Sequence, residues 1–338
     1  MTGSTLTVDL GGTWMRSAIA EGSELILPMK TEAPGFRFNT TPLARLQDMF
    51  LREMSSLLDS YTERGVHVST LALAFPGPIK NGYVYGAATL WGEMSTPYPL
   101  LSRLKDELGK KGVTEIITVN DMTAMGWSYV TDENRTFCII TVSSGIGNKV
   151  FQDGNVLTGI RAVGGEIGHW YCGDNYREFD CDCGGKGHLG AVSSGRGVEK
   201  IAEKLKNVYR ERSDLASLEQ ITAMDILEGL KKGDALAQET LSFSVVPLAS
   251  AISLINLATG VDTFIIVGGF ALGAGERYIR ELGKSLDRLQ FRGHFTDNGE
   301  GIRVMLGADD DFQALRGLAR LAENGATAEE RADAATRH

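Results

Sequence analysis

Two stretches of this chain share an order of predicted elements, and the repetition constrains the fold more than any other feature of the sequence. The first stretch, from Leu6, has three short apolar segments separated by turn residues, followed by strands that alternate with helical patterns. The second stretch begins with the apolar residues 137–142 and continues through a hairpin predicted at Asp153 and Gly154. This order is typical of an α/β protein built from two similar halves.

The predicted elements divide the chain into two domains, each ribonuclease-H-like with the order βββαβαβα. A small N-terminal domain is expected at residues 1–119, joined by a C-terminal helix at about residues 308–323. A larger C-terminal domain is expected at residues 120–307. Residues 324–338 are rich in alanine and charged side chains, which predicts a disordered tail.

Composition excludes several classes of function. The formal net charge of −9 argues against a nucleic-acid partner, which needs a basic surface to neutralise phosphates. We see no apolar run that approaches the roughly 20 residues of a membrane span, and the start of the chain lacks the pattern of a secretion signal. We therefore expect a cytoplasmic protein that acts on a small molecule and binds neither nucleic acid nor membrane.

Three predicted strands end in turns of small residues, which suit phosphate binding. Glycine lets backbone N–H groups approach phosphate oxygens closely, and Ser or Thr hydroxyls add donors. Each turn alone is more often a simple hairpin or strand exit, but three together favour a nucleotide site. Asp9 is placed to hold Mg²⁺, and Arg16 to reach a phosphate. The candidate cofactor-binding residues are Asp9, Gly11, Gly12, Thr13, Arg16, Ser143, Ser144, Gly145, Gly268 and Gly269.

Asn120 and Asp121 follow a predicted strand at residues 115–119 and form a candidate catalytic pair. A carboxylate at a strand end can accept the proton of an alcohol that attacks a γ-phosphate. The alternative from the residues alone is a helix start, with Asp121 as N-cap and Asn120 as a turn residue.

Two cysteines and two histidines lie close together in the sequence at spacings that a tetrahedral metal can use. They are His169, Cys181, Cys183 and His188. This predicts a Zn²⁺ site with four protein ligands, which is a structural site because no coordination position stays open. The alternative is a loop in which Cys and His occur by chance.

Five motifs occur in the order found in the ROK family, which is named for repressors, open reading frames and kinases and includes bacterial glucokinases. They are DLGGT (residues 9–13), ND (120–121), GEIGH (165–169), CDCG (181–184) and IVGG (266–269). The chain resembles this family from about Leu6 to Leu321, with an actin-like two-domain sugar-kinase fold. The resemblance implies ATP and Mg²⁺, a structural Zn²⁺, and Asp121 as general base. It also implies that Asn120, Glu166, His169 and Thr89 contact the sugar.

The chain departs from the family pattern near the metal motif. His188 stands where the family has a third cysteine, so a site with two histidines and two cysteines is expected, with Cys172 as a further candidate ligand. Gly190 stands where sugar kinases of the family have a glutamate that binds hydroxyls near the anomeric carbon. A site without that carboxylate discriminates less at this position, which favours a modified sugar or a C7-cyclitol over glucose.

The nucleotide motifs also depart from the family. Ser143 and Ser144 replace a Gly-Thr pair, and Asn148 and Lys149 follow where glycines are usual. Lys149 faces either phosphate or solvent. Phe270, after the last glycine pair, packs either near an adenine ring or in the core.

The most consistent function is an ATP-dependent kinase that phosphorylates a hydroxyl of a hexose or cyclitol, acting as a homodimer. The alternatives are an ordinary glucokinase and a non-catalytic sugar-sensing protein of the same family. Repressors of the family carry a helix-turn-helix ahead of the kinase-like domains. Asp9 lies so near the start of this sequence that we do not expect one here.

Overall fold

The computed structural model describes residues 3–22, 24–33, 41–87, 90–159, 164–289 and 301–324. By internal contacts the chain divides into two compact units, each with its own five-stranded sheet. Unit 1 comprises Met1–Glu133, Thr158–Gly164 and Asp310–His338, and unit 2 comprises Asn134–Leu157 and Gly165–Asp309. The contacts group residues 120–133 with unit 1. The domain boundary expected at residue 119 stays a prediction. The predicted tail lies, except for Asn324, outside the described residues.

The sheet of unit 1 has the strand order β3-β2-β1-β4-β7, in which β1, β2 and β3 form an antiparallel meander and β4 and β7 run parallel to β1. In the register, Asp9 pairs with Arg16 of β2 and Ala74 of β4, and Asn120 pairs with Phe75 of β4. Asp9 and Asn120 therefore lie at the same edge of the sheet. The strands are β1 (Ser4–Leu10), β2 (Trp14–Glu21), β3 (Glu24–Glu32), β4 (Val68–Phe75), β7 (Glu115–Asn120) and, in a separate small hairpin, β5 (Ile79–Lys80) and β6 (Tyr83–Val84).

The sheet of unit 2 repeats this topology, with the order β10-β9-β8-β11-β12. Here β8, β9 and β10 form the meander, and β11 and β12 run parallel to β8. The hairpin predicted at Asp153 and Gly154 is confirmed, because both residues have the positive φ (52° and 80°) of such a turn. The strands are β8 (Phe137–Val142), β9 (Ile146–Gln152), β10 (Asn155–Val156), β11 (Thr263–Val267) and β12 (Arg303–Leu306). The duplicated α/β pattern read from the sequence is therefore confirmed.

The helices cover the sheets and bury apolar faces against them. Unit 1 contains α1 (Leu43–Glu63), α2 (Leu100–Leu108), α3 (Asp121–Trp127) and α10 (Gln313–Asn324). Unit 2 contains α4 (Leu189–Ser193), α5 (Gly195–Leu205), α6 (Ala223–Lys232), α7 (Ala235–Thr259), α8 (Gly269–Ala274) and α9 (Glu276–Asp287). Local signals fix several helix ends: α6 begins with a capping box from Thr222 and Asp225, and both α6 and α7 end at a left-handed glycine.

Helix α7 corrects one expectation. Within the described residues it is the one helix that is long and apolar enough to cross a membrane, so it was wrong to expect no apolar run of that length. Length and composition are weak evidence for a span, because the core helices of soluble proteins share them. Residues along α7, from Leu236 to Ile255, belong to the main apolar cluster of unit 2. Buried on several sides by protein, the helix has little need of polar residues.

Candidate active site

The turn between β1 and β2 brings Asp9 and Arg16 together in unit 1. Gly11 N–H donates to the Trp14 carbonyl at 2.9 Å, which closes the turn. An Arg16 Nη atom lies 3.5 Å from an Asp9 carboxylate oxygen, and the other donates to Asp311 at 3.1 Å. Arg16 Nε is buried and has no hydrogen-bond partner among the described residues. A buried guanidinium N–H without a partner suits an anionic group bound at this turn.

Asp9 has an unusual proton affinity. Burial raises the pKa of its carboxyl to about 7, the charge of Arg16 opposes that shift, and the charges of Asp121 and Asp311 add to it. The Asp9 side chain is only 13% exposed. Burial is therefore the main reason that Asp9 holds its proton, and the nearby carboxylates of Asp121 and Asp311 add a smaller repulsion. A cation bound to this acidic group of unit 1 would favour the ionised form of Asp9.

Asn120 is the N-cap of α3. Its side-chain oxygen accepts from the N–H groups of Met122 (3.0 Å) and Thr123 (3.4 Å), and its amide donates to the Gly77 carbonyl at 3.1 Å. Asp121 is the first helical residue, and one of its oxygens accepts from Met122 N–H at 2.8 Å. The capping position therefore belongs to Asn120, and the capping bonds fix the Asn120 side chain and the backbone at the start of α3.

The second turn, between β8 and β9, is held by helix α5. Ser143 N–H donates to the Gly145 carbonyl at 3.0 Å inside the turn. The Ser143 carbonyl accepts from Gly195 N–H at 2.7 Å, and the Ser144 carbonyl accepts from Arg196 Nε at 2.7 Å. Two successive residues of α5 thus hold two successive carbonyls of the turn.

The third turn requires glycine. Gly268 follows β11 with a φ of 97°, and a Cβ there would lie 2.7 Å from Thr141 Oγ1. Gly269 begins α8. Phe270 is 4% exposed and packs edge-on against Tyr278 in the main apolar cluster of unit 2, so it fills the core.

The loop that carries Glu166 and His169 rests on β9. Asn148 N–H donates to the Gly165 carbonyl at 3.1 Å, and its side-chain oxygen accepts from Ile167 N–H at 3.3 Å. Lys149 is 6% exposed, so its side chain does not face solvent. Asn148, which replaces a family glycine, is therefore a support for this loop.

The four predicted metal ligands come together in unit 2. The ligand atoms of His169, Cys181, Cys183 and His188 all lie within 4.8 Å of one another. Cys181 Sγ lies 3.9 Å from His169 Nδ1, and Cys183 Sγ lies 3.3 Å from His188 Nδ1. Ligands of a tetrahedral Zn²⁺ are roughly 3.3–3.8 Å apart, given bonds of about 2.0–2.3 Å. The donor set fits zinc, and the two His–Cys distances are close to those of a tetrahedral site.

Short backbone contacts build this cluster. Gly184 N–H donates to the Cys181 carbonyl (2.9 Å) and Cys181 N–H to the Gly185 carbonyl (2.8 Å), a tight turn that presents both cysteines. Cys172 lies outside the cluster: its thiol contacts the Trp170 carbonyl at 3.6 Å, and burial raises the pKa of the thiol to about 12. The group of four ligand atoms does not include Cys172, so its candidate role as a further ligand stays a prediction.

A cavity of about 160 Å³ lies between the second turn and the metal cluster, within unit 2. Its lining includes Ser144, Gly145, His169, Gly190, Arg196 and Lys200. A Cβ at Gly190 would lie 3.2 Å from the Gly168 carbonyl oxygen, which is a tight contact. Because Gly190 has no side chain, its backbone lies close to the loop that bears His169.

Sequence reasoning missed Arg196 and Asp311. Ser194 before Gly195 was a usable signal for a helix start, since Ser is a preferred N-cap, and it places Arg196 in the first turn of α5. The acidic run at residues 309–311 was a signal for Asp311. Neither signal indicates which residues Arg196 and Asp311 contact. The candidate residue Thr89 lies outside the described residues.

Comparison with known proteins decides the family. The ROK family profile matches residues 5–324. The chain belongs to the ROK family. It is similar to a C(7)-cyclitol 7-kinase of Streptomyces hygroscopicus subsp. limoneus, with 36% identity over 335 residues that cover 94% of this chain and 93% of the relative. It is also 28% identical to an N-acetylmannosamine kinase of Salmonella agona, over 82% of this chain and 87% of the relative.

Solved ROK structures show the fold. A ROK family glucokinase of Streptomyces griseus, in complex with glucose and AMPPNP, matches with a TM-score of 0.73 at 20% identity, over 96% of this chain and all of that one. A ROK hexokinase of Thermus thermophilus matches with a TM-score of 0.72 at 20% identity, over 95% and 100%. The expected actin-like fold with two ribonuclease-H-like halves is thus confirmed.

Proposed function

We propose that this ROK protein is an ATP-dependent kinase that phosphorylates a hydroxyl of a C7-cyclitol or a closely related modified sugar. The observation that carries the proposal is the 36% identity to a C(7)-cyclitol 7-kinase over almost the whole of both chains. The more distant sugar kinases share less of the chain at lower identity. The acidic group of unit 1 and the turns of unit 2 support a phosphoryl transfer.

Asp121 is the general base in this proposal. Phosphoryl transfer needs an acceptor oxygen aligned with the γ-phosphorus and a carboxylate that takes its proton. The capping bonds of Asn120 support the role, because they hold the start of α3 and therefore the Asp121 backbone in one orientation. The Asn120 amide has two hydrogens, and the Gly77 carbonyl uses one, which leaves one to donate to the acceptor.

Each of the three turns offers groups that suit a bound nucleotide. ATP supplies the transferable phosphoryl group, and Mg²⁺ neutralises its charge. Asp9 would hold Mg²⁺ directly or through water, and the unpartnered Nε of Arg16 would donate to a phosphate oxygen. In unit 2, the turns at Ser143–Gly145 and Gly268–Gly269 would supply backbone N–H groups. A bound cation would offset the burial that raises the pKa of Asp9 and would keep its carboxylate ionised.

Zinc is a structural ion in this proposal. His169, Cys181, Cys183 and His188 would occupy all four tetrahedral positions, which leaves none for substrate. The ion would fix the orientation of the His169 loop, in which Glu166 is exposed and available to the ring hydroxyls of the acceptor.

Gly190 supports an acceptor other than glucose. It lines the cavity beside His169 and carries no group that could bind a hydroxyl. Buried polar groups reject ligands that leave them unpaired. Without such a group, a ring that lacks the glucose anomeric centre meets no penalty at this wall.

The test is ADP release from ATP with purified protein and a panel of acceptors under identical conditions. The panel contains a C7-cyclitol, glucose, mannose and their N-acyl derivatives. We expect the cyclitol to give the highest kcat/KM and glucose a much lower one. Glucose as the best acceptor would instead identify an ordinary glucokinase. Acceptor binding without ADP release from any member would identify a non-catalytic sensor.

A further inference from the structure

Arg196 contacts two segments of unit 2 that are far apart in the sequence. It lies in the first turn of α5, which the N-cap Ser194 begins. Its Nε donates to the Ser144 carbonyl at 2.7 Å, and an Nη atom forms an ion pair with Asp182. Asp182 is the residue between the proposed metal ligands Cys181 and Cys183. One guanidinium thus contacts both the second turn and the metal loop.

The contact with Ser144 has a consequence for the direction of backbone donors. In a trans peptide, the carbonyl of one residue and the N–H of the next point in opposite directions. Gly195 N–H holds the Ser143 carbonyl, which sets the direction of Ser144 N–H. Arg196 holds the Ser144 carbonyl, which sets the direction of Gly145 N–H. Both N–H groups therefore point away from the α5 contacts that fix them.

We propose that Arg196 is a positioning residue for the nucleotide phosphates, which holds the Ser144–Gly145 peptide in its donor orientation and links that peptide to the metal loop through Asp182. The proposal rests on the proposed kinase function and adds a residue to it. The metal loop then affects nucleotide binding through a defined route, Asp182 to Arg196 to the Ser144 carbonyl, in addition to its effect on the His169 loop.

The ion pair alone does not explain the arrangement. Both side chains are about half exposed (45% for Arg196 and 58% for Asp182), so their attraction contributes little to stability. A planar guanidinium can bridge a carbonyl and a carboxylate at fixed directions, whereas a lysine ammonium cannot reproduce that geometry. The contact pattern is thus better suited to orienting a peptide than to stabilising the fold.

The experiment compares Arg196→Met, Arg196→Lys and Lys200→Met with wild type. Lys200 is the matched control: it lies one turn further along α5, lines the same cavity and donates to the Asp180 carbonyl at 2.5 Å, and the described contacts do not link it to the second turn. The measurements are the Kd of Mg²⁺–AMP-PNP by calorimetry without acceptor, the KM values for ATP and acceptor, and zinc content.

We expect Arg196→Met to raise the Kd for AMP-PNP and the KM for ATP by about 10-fold or more, the effect of losing the hydrogen bond that the released Gly145 N–H would otherwise make to a charged phosphate. Arg196→Lys should weaken nucleotide binding nearly as much, because it keeps the positive charge but cannot contact the Ser144 carbonyl and Asp182 together. The acceptor KM and the zinc content should stay within two-fold of wild type, and Lys200→Met should change nucleotide binding less than two-fold. Asp182→Asn should weaken nucleotide binding in wild type and have no further effect in Arg196→Met.

Three results would overturn the role. Unchanged nucleotide affinity in Arg196→Met excludes the positioning role. Full affinity in Arg196→Lys shows that the positive charge alone is sufficient. Independent effects of Asp182→Asn and Arg196→Met exclude the route from Asp182 through Arg196. Failure of the kinase proposal has a different signature, because wild type would then release no ADP with any acceptor. Wild type that binds no AMP-PNP would overturn both.

Discussion

Asp9 gives the sharpest test of the site in unit 1, through a substitution that should stabilise the protein while impairing it. Burial and the charges of Asp121 and Asp311 raise the pKa of Asp9 from 3.8 to about 7. The folded protein therefore holds this proton more tightly than the unfolded chain does. Folding stability consequently falls as pH rises between about 4 and 7, and the penalty is complete above 7. Asp9 lowers folding stability near neutral pH, and a function that requires a carboxylate at this position explains why it is retained.

The magnitude follows from the shift. About 3 pKa units at about 1.4 kcal/mol each give at most about 4 kcal/mol of lost stability above pH 7. Asp9→Asn is uncharged at every pH and avoids this loss. Without added Mg²⁺ or nucleotide, its stability advantage over wild type should grow by up to about 1.4 kcal/mol per pH unit and level off near pH 7.

The assay is urea unfolding of both proteins at half-unit steps from pH 5.5 to 8.5. Asp59→Asn is the control, because Asp59 lies at the surface of unit 1, where its side chain is 57% exposed. This substitution removes one negative charge, together with an exposed ion pair to Lys111, and leaves the buried charges unchanged. The same Asp9→Asn protein should bind Mg²⁺–AMP-PNP at least 10-fold more weakly than wild type, as loss of a charged ligand predicts. A stability difference that does not change with pH would refute the reasoning, because only titration of Asp9 produces the slope.

Three further predictions concern the rest of the site. Asp121→Asn should keep the fold and the acceptor KM but lower kcat by roughly 10²–10⁴-fold; steady-state ADP release checks this, and activity within a few-fold of wild type would exclude the base. Wild type should contain one Zn²⁺ per chain by elemental analysis, and Cys181→Ser should lose the metal and unfold at a lower temperature, because metal binding is coupled to folding; a well-folded wild type without metal would contradict the assignment. Gly190→Glu should raise kcat/KM for glucose relative to the C7-cyclitol, with some loss of stability from the 3.2 Å contact to the Gly168 carbonyl; an unchanged ratio would show that Gly190 does not set specificity.

The sequence by itself determined the features that depend on neighbouring residues. The strands that end in small-residue turns predicted the two mixed sheets, because strand patterns and turn chemistry are local. The metal cluster was predictable for the same reason, since its four ligands lie within one short segment, residues 169–188. The hairpin at Asp153 and Gly154 followed from the backbone preferences of those two residues.

Only the tertiary structure decided which distant residues meet. Arg16 and Asp311 are 295 positions apart, and Arg196 and Ser144 are 52 apart, so no local pattern pairs them. The raised pKa of Asp9 depends on burial and on three charges from different elements. Helix α7 shows the same limit, because an apolar segment fits a protein core and a bilayer equally well until its neighbours are known. Spacing along the chain specifies local geometry, whereas packing decides distance, burial and charge environment.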